Sequence, residues 1–202
     1  MPSTYFSKFT PLVYPNRDDS VKVVSDIFFR VQFDLEAKAD ASLYYDYDIK
    51  DSDSPEILAY KYYGSPSYHW IILLANDMLD PLYDWPMSDK VFDSYLVNKY
   101  GDNINGIHHY ETLHLVAPDT SYGYTAGDTI LEAGITCDSE FTYSYGDGGD
   151  THDFTSVEAR TEVLNYEYEF KLNEAKRKIR LFDKKYLSEF IKNFDSLIDD
   201  RG

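Results

Sequence analysis

An α+β fold is predicted by three observations. Between Ser54 and Pro86 the chain carries two helix-sized apolar stretches, each with start and stop residues. Short stretches elsewhere alternate tyrosine or isoleucine with polar residues, the period of a half-buried strand. Near the C-terminus Leu187, Phe190, Ile191, Phe194, Leu197 and Ile198 fall on one face of a helix.

The elements are read in chain order. Residues 1–20 mix Pro, Ser and aromatics without a period and read as an extended arm or loop. Val21 to Phe33 is ambiguous: Val23, Ile27, Phe28 and Val31 have helical spacing, but the β-branched content opposes a helix. Asp34 to Asp40 reads as a polar linker. From Leu43 to Ile49, Tyr45, Tyr47 and Ile49 alternate with Asp46 and Asp48, a strand. Ser54 suits a helix cap, Pro55 its first turn, and Glu56 the positive end of its dipole. That helix is expected over 55–63, with Gly64 as its stop. Ser65-Pro66 restarts the chain, and Tyr68, Trp70, Ile71, Leu73, Leu74 and Ala75 make a second helix over 66–76. Asn76, Asp80 and Pro81 end it. A strand over 82–87 is then expected to pair with Tyr44–Ile49, closing a β-α-α-β order.

Ser88 caps a third helix carrying Val91, Phe92, Tyr95 and Leu96, with Gly101 as its stop. Ile107 to Val116 reads as a strand. Thr129–Leu131, Ile135–Cys137 and Phe141–Tyr145, separated by Gly and Asp, read as hairpins of an inserted β lobe. Tyr166 to Arg177 has helical composition, Lys178 to Phe182 alternates as a strand, and Asp183 caps the last helix. No second long amphipathic helix precedes that one. Its face of Leu187, Phe190, Ile191, Phe194 and Leu197 is therefore expected to dock partly on another protein, with Lys184, Lys185 and Lys192 near the rim.

Composition narrows the function classes. The net charge is −17, which opposes a surface devoted to nucleic acid. Residues 166–202 hold 9 of the 19 Lys and Arg but 8 of the 36 Asp and Glu, so the acidity lies in the rest of the chain. The longest apolar run, Trp70 to Ala75, is far shorter than the roughly 20 residues of a membrane span. The first residues lack a basic stretch followed by an apolar one, so no signal peptide is expected. Cys137 is the single cysteine, which excludes an internal disulfide. Twenty tyrosines suit interfaces, although strands favour tyrosine too.

Catalytic and metal chemistry find little support. On a strand, His108 and His114 share one face while His109 and Glu111 share the other, but zinc-ligand spacing is absent. His69, between Tyr68 and Trp70, has no nucleophile spaced with it and reads as a packing residue. Asp147, Asp150 and Asp153 lack calcium-loop spacing and read as a solvated loop. No phosphate loop or nucleophile elbow occurs. No enzyme, cofactor or metal is expected.

The β-α-α-β order resembles the LysM module, a small unit that binds N-acetylglucosamine polymers. Its wording is more specific. Pro55-Glu56, Tyr63-Gly64, Tyr68-His69-Trp70, Asn76-Asp77, Asp80-Pro81 and Tyr83-Asp84-Trp85-Pro86 resemble the baseplate wedge protein family of T-even-like contractile-tailed phages, which carries a LysM-like domain. Ser25 to Val31, Ile107 to Glu111, Asn165 to Glu169 and Asn173 to Ile179 match further family segments, whereas 115–162 carries no family motif. The chain reads as an N-terminal arm (1–40), a domain that the resemblance makes LysM-like (41–87), a helix plus β-rich lobe (88–162) and a C-terminal helical segment (163–202). The resemblance implies a structural part of the tail baseplate, assembled in the host cytoplasm. Such a part binds other wedge proteins, links neighbouring wedge copies and contacts the hub, without nucleic acid or membrane. The alternative is a peptidoglycan-binding accessory protein. It is disfavoured because Asp51-Ser52-Asp53-Ser54 is acidic where a glycan groove would lie, and because Trp70 shares a face with Ile71 and Leu74.

Overall fold

The computed structural model describes residues 5–9, 11–26, 35–146 and 149–199. The expectations for Ile27 to Phe33 and for Asp147 fall outside the described residues. Helices and strands in small antiparallel sheets make an α+β fold. The chain divides into two compact units, 1–88 with 174–202, and 89–173.

In the first unit, a single 3-10 turn at Tyr5–Lys8 precedes a hairpin of β1 (Pro11–Pro15) and β2 (Val21–Ser25). The expected loop is therefore partly ordered structure. A short helix α1 (Leu35–Ala39) replaces the expected linker and leads to strand β3 (Tyr44–Asp48). Helix α2 (Pro55–Tyr63) starts and stops on the residues read from sequence. Ser54 Oγ accepts the Ile57 N–H at 3.3 Å, and Gly64 takes a left-handed φ of 81° while its N–H reaches Tyr60 O. A 3-10 turn at Pro66–Tyr68 opens helix α3 (His69–Ala75).

The expected strand at 82–87 does not form. Asp80 accepts the Leu82 N–H with Pro81 in the first turn, which is a helix start, and α4 (Pro81–Asp84) follows. The partner of β3 is β11 (Lys178–Phe182), pairing antiparallel from Tyr44↔Phe182 to Asp48↔Lys178. The contiguous LysM-like unit of 41–87 is thus corrected: the strand closing the two helices comes from the distant end of the chain. Ile179 and Leu181 bring the apolar face that 82–87 lacks. With Ile49, Leu58, Ala59, Ile72 and Trp85 they form one buried cluster.

Helix α8 (Leu187–Asp199) packs on the same unit. Phe194 and Ile198 are buried with Trp70, Ile71 and Phe182, and Leu187, Phe190 and Ile191 pack against that cluster. Tyr5 adds its ring at 5.3 Å from Trp70 and 5.8 Å from Phe194, and Lys8 pairs with Asp195. Most of the face expected to await a partner is therefore covered by its own chain; Leu197 remains 54% exposed.

The second unit holds α5 (Asp89–Tyr100), β4 (Ile107–Thr112), β5 (Leu115–Val116), β6 (Thr129–Leu131), β7 (Thr136–Cys137), β8 (Tyr143–Gly146) and β9 (Thr151–Phe154), then α6 (Ser156–Ala159), β10 (Arg160–Leu164) and most of α7 (Asn165–Ala175). Strands β10, β4 and β7 form its three-stranded sheet. The β lobe has a small core of Ala117, Ile130 and Tyr145, with Tyr122, Tyr143 and Phe154 around it. Thr155 and Glu158 close a capping box on α6.

A candidate interaction surface on the first unit

The loop before α2 is fixed by a buried carboxylate. Asp53 accepts Tyr47 Oη at 2.8 Å, Lys61 Nζ at 2.5 Å and the Lys50 N–H at 3.1 Å. Burial works to raise its pKa, but these bonds outweigh it and hold the carboxyl below its ordinary value. Burial and the same carboxylate push Tyr47 up to about 12. Trp85 Nε1 donates to Asp53 O at 3.0 Å, tying this loop to the chain just after α4. From sequence, Asp53 belongs to an acidic stretch, Asp51 to Ser54, at the place of a glycan groove. Its side chain is fully buried, with Tyr47 and Lys61 within reach of it.

The other motif residues serve the same framework. Pro55 and Pro86 are buried, and Tyr68 packs between the two core clusters. His69 Nδ1 donates to Pro66 O at 3.0 Å, a local cap. Trp70 is buried, with Phe194 at 4.6 Å between ring centroids and Phe190 at 5.9 Å. Asn76 joins α3 to β11: its amide donates to Ile72 O and Arg180 O at 2.8 Å, and its Oδ1 accepts the Arg180 N–H at 2.8 Å.

On this base, α4 is held rigidly while its apolar side chains stay outside. Asp84 accepts the N–H groups of Leu79 and Asp80 at 2.8 and 2.9 Å, and Lys176 Nζ donates to Tyr83 O at 2.5 Å. Leu79, Leu82 and Tyr83 are nevertheless 70%, 85% and 73% exposed. Exposed apolar side chains on a well-braced turn have low ordering cost on binding. Asp80 and Asp84 cap and brace this turn, and Asp77 just before it pairs with Lys38. This surface was not found from sequence, although Asp80-Pro81 before Leu82-Tyr83 carried the signal: a capped turn with nothing to bury.

The histidines do not gather into a ligand set. The His108 and His109 rings meet each other, Nδ1 to Nδ1 at 2.8 Å, and His109 Nε2 lies 3.1 Å from Glu111. The His108 ring stacks on Tyr168 at 3.9 Å. Among the described residues no group of three or more side chains is arranged to hold a metal ion. No described helix is long and apolar enough to cross a membrane.

A model of the family described as Base plate wedge protein 53 matches residues 4–117, more than half of the chain. The chain belongs to that family. It is similar to baseplate wedge protein gp53 of Enterobacteria phage T4, 40% identical over 60 residues. The similar stretch spans 30% of this chain and 30% of that relative's length. Membership in the wedge protein family gives the chain a structural role in a phage tail baseplate. The matched range contains α2 to α4 and the exposed Leu79, Leu82 and Tyr83, and it stops where the β lobe begins.

Proposed function

We propose that the chain is a non-enzymatic connector of the baseplate wedge. It binds other wedge proteins, joins neighbouring wedge copies and contacts the hub. The observation that supports this reading is the braced, exposed apolar surface of α4 within the family-matched range. A partner suited to it offers an apolar groove edged with Lys or Arg. Leu82→Asp together with Tyr83→Ser should reduce incorporation into baseplates at least tenfold, since central apolar anchors are worth about 2 kcal/mol or more. Both side chains are exposed, so thermal unfolding should stay within a degree or two of the parent. Normal incorporation of this double variant would reject α4 as the contact.

Two features weigh against the glycan-binding alternative. Trp70 is enclosed by aromatic rings, and the Asp53 carboxylate is used up by Tyr47, Lys61 and Lys50. Titration with chitin oligomers should give no binding at millimolar ligand. Micromolar affinity lost on changing residues 51–54 would restore that alternative.

A further inference from the structure

The hairpin of β1 and β2 pairs with no other strand among the described residues. All ten of its strand residues are exposed. An isolated two-stranded hairpin is marginal in water, so one with apolar side chains on both sides calls for cover. Its two faces differ. Pro11, Val13 and Pro15 lie across from Ser25, Val23 and Val21, an almost wholly apolar face on which Val13 and Val23 are 68% and 72% exposed. Leu12 and Val24 share the other face with Tyr14 and Lys22.

The two edges differ more sharply. The Asn16 N–H donates to Ser20 O at 2.8 Å, which sets the phase of the ladder. Antiparallel pairs alternate between bonded and non-bonded, so Tyr14↔Lys22 and Leu12↔Val24 are the bonded pairs. Residues 11, 13 and 15 on β1 and 21, 23 and 25 on β2 therefore turn their backbone groups outward. Pro11 and Pro15 have no N–H, so the β1 edge offers a single outward donor, from Val13. The β2 edge keeps every donor and acceptor of Val21, Val23 and Ser25.

We propose that the free edge of β2 receives an extended strand from a basic partner protein, by main-chain pairing. The added strand carries apolar residues at alternate positions, which extend the Val13–Val23 face. Charge selects the partner. The hairpin is balanced, with Arg17 and Lys22 against Asp18 and Asp19, on a chain of net charge −17. Edge pairing brings the added strand to about 4.8 Å, and a second copy would bring with that strand another body of net charge −17, which the first repels. A segment bearing Lys or Arg is attracted instead. This pairing is independent of the α4 contact.

The test compares two proline variants of the full chain in baseplate assembly. Val23→Pro removes an outward donor from the open edge and leaves the bonded pairs at 22 and 24 intact. Val13→Pro does the same at the edge already blocked, on the same face of the same hairpin. Val23→Pro should lower incorporation at least tenfold and Val13→Pro less than twofold. In hydrogen exchange, the segment 20–26 should slow at least tenfold between the free chain and purified baseplates, and 11–15 should change less. Equal effects of the two prolines, or no slowing of 20–26, overturn the proposal. So does a concentration-dependent dimer of the free chain, seen by sedimentation and abolished by Val23→Pro, since a second copy would then be the occupant.

Discussion

Phe194→Ala should destabilise the first unit by about 3–5 kcal/mol, the cost of emptying a large aromatic site. Phe194 is buried, with Trp70 at 4.6 Å and Tyr5 at 5.8 Å between ring centroids. Loss of its ring unseats α8 and uncovers Trp70, Ile71 and Phe182 together. The chain's two tryptophans, Trp70 and Trp85, both belong to this unit, so fluorescence in urea follows its unfolding selectively. Phe190→Asp should act in the same direction, because Phe190 lies 5.2 Å from Phe182 and 6.4 Å from Phe194, where a carboxylate loses its water. Leu197→Asp, on the exposed side of the same helix, should stay within about 0.5 kcal/mol. A midpoint for Phe194→Ala equal to that of Leu197→Asp would refute the packing role of α8.

In the second unit the largest polar effect is expected at Glu169. This buried carboxylate accepts Lys99 Nζ at 2.6 Å, Tyr100 Oη at 2.8 Å and Tyr95 Oη at 3.0 Å, fastening α7 to α5. Burial works to raise its pKa, but the three donors outweigh burial and hold it below the ordinary 4.5. A group whose folded pKa is depressed stabilises fully above its unfolded pKa, and that stabilisation fades as pH falls through the folded value. Glu169→Ala should therefore remove about 3 kcal/mol at pH 7, from charge-assisted bonds lost and two tyrosine hydroxyls left half-buried. The gap between variant and parent should shrink below pH 4.5. Hydrogen exchange of the α5 amides at pH 7 and in mild acid measures both. A gap that stays constant down to pH 2 would mean that the charge contributes nothing.

Local chemistry was legible in the sequence, and distant pairing was not. Ser54, Pro55 and Gly64 bound α2 because caps act within a few residues. The alternation of Lys178 to Phe182 identified β11, and the spacing of Leu187 to Ile198 identified α8. Alternation says that a strand exists, not which strand it joins. Tyr44–Asp48 was assigned the nearest candidate downstream, whereas its true partner lies some 130 residues away. Asp80-Pro81 was read as the end of one helix when the same residues are the start of another. The hairpin has no clear period in sequence: the polar turn Asn16 to Ser20 joins the proline-bounded Pro11–Pro15, with Val13 its one β-branched residue, to the valine-rich Val21–Ser25. Of the interaction surfaces, the α8 face was visible as a pattern but is largely consumed at home. The exposed α4 turn carries no pattern, since only three side chains define it.

The pairing of β3 with β11 also sets an order of events during synthesis. Residues 89–173 emerge from the ribosome and can fold while β3, α2 and α3 still lack the strand that closes them. The apolar side chains of Leu58, Ile72 and Trp85 must wait for Ile179 and Leu181 to be translated. Bridging so long a loop carries an entropic cost that an already folded intervening unit reduces by bringing its two ends into a fixed relation. The middle of the chain thus acts as a tether for its flanks, and ribosomes that stall before codon 178 leave a sticky, unclosed helix pair.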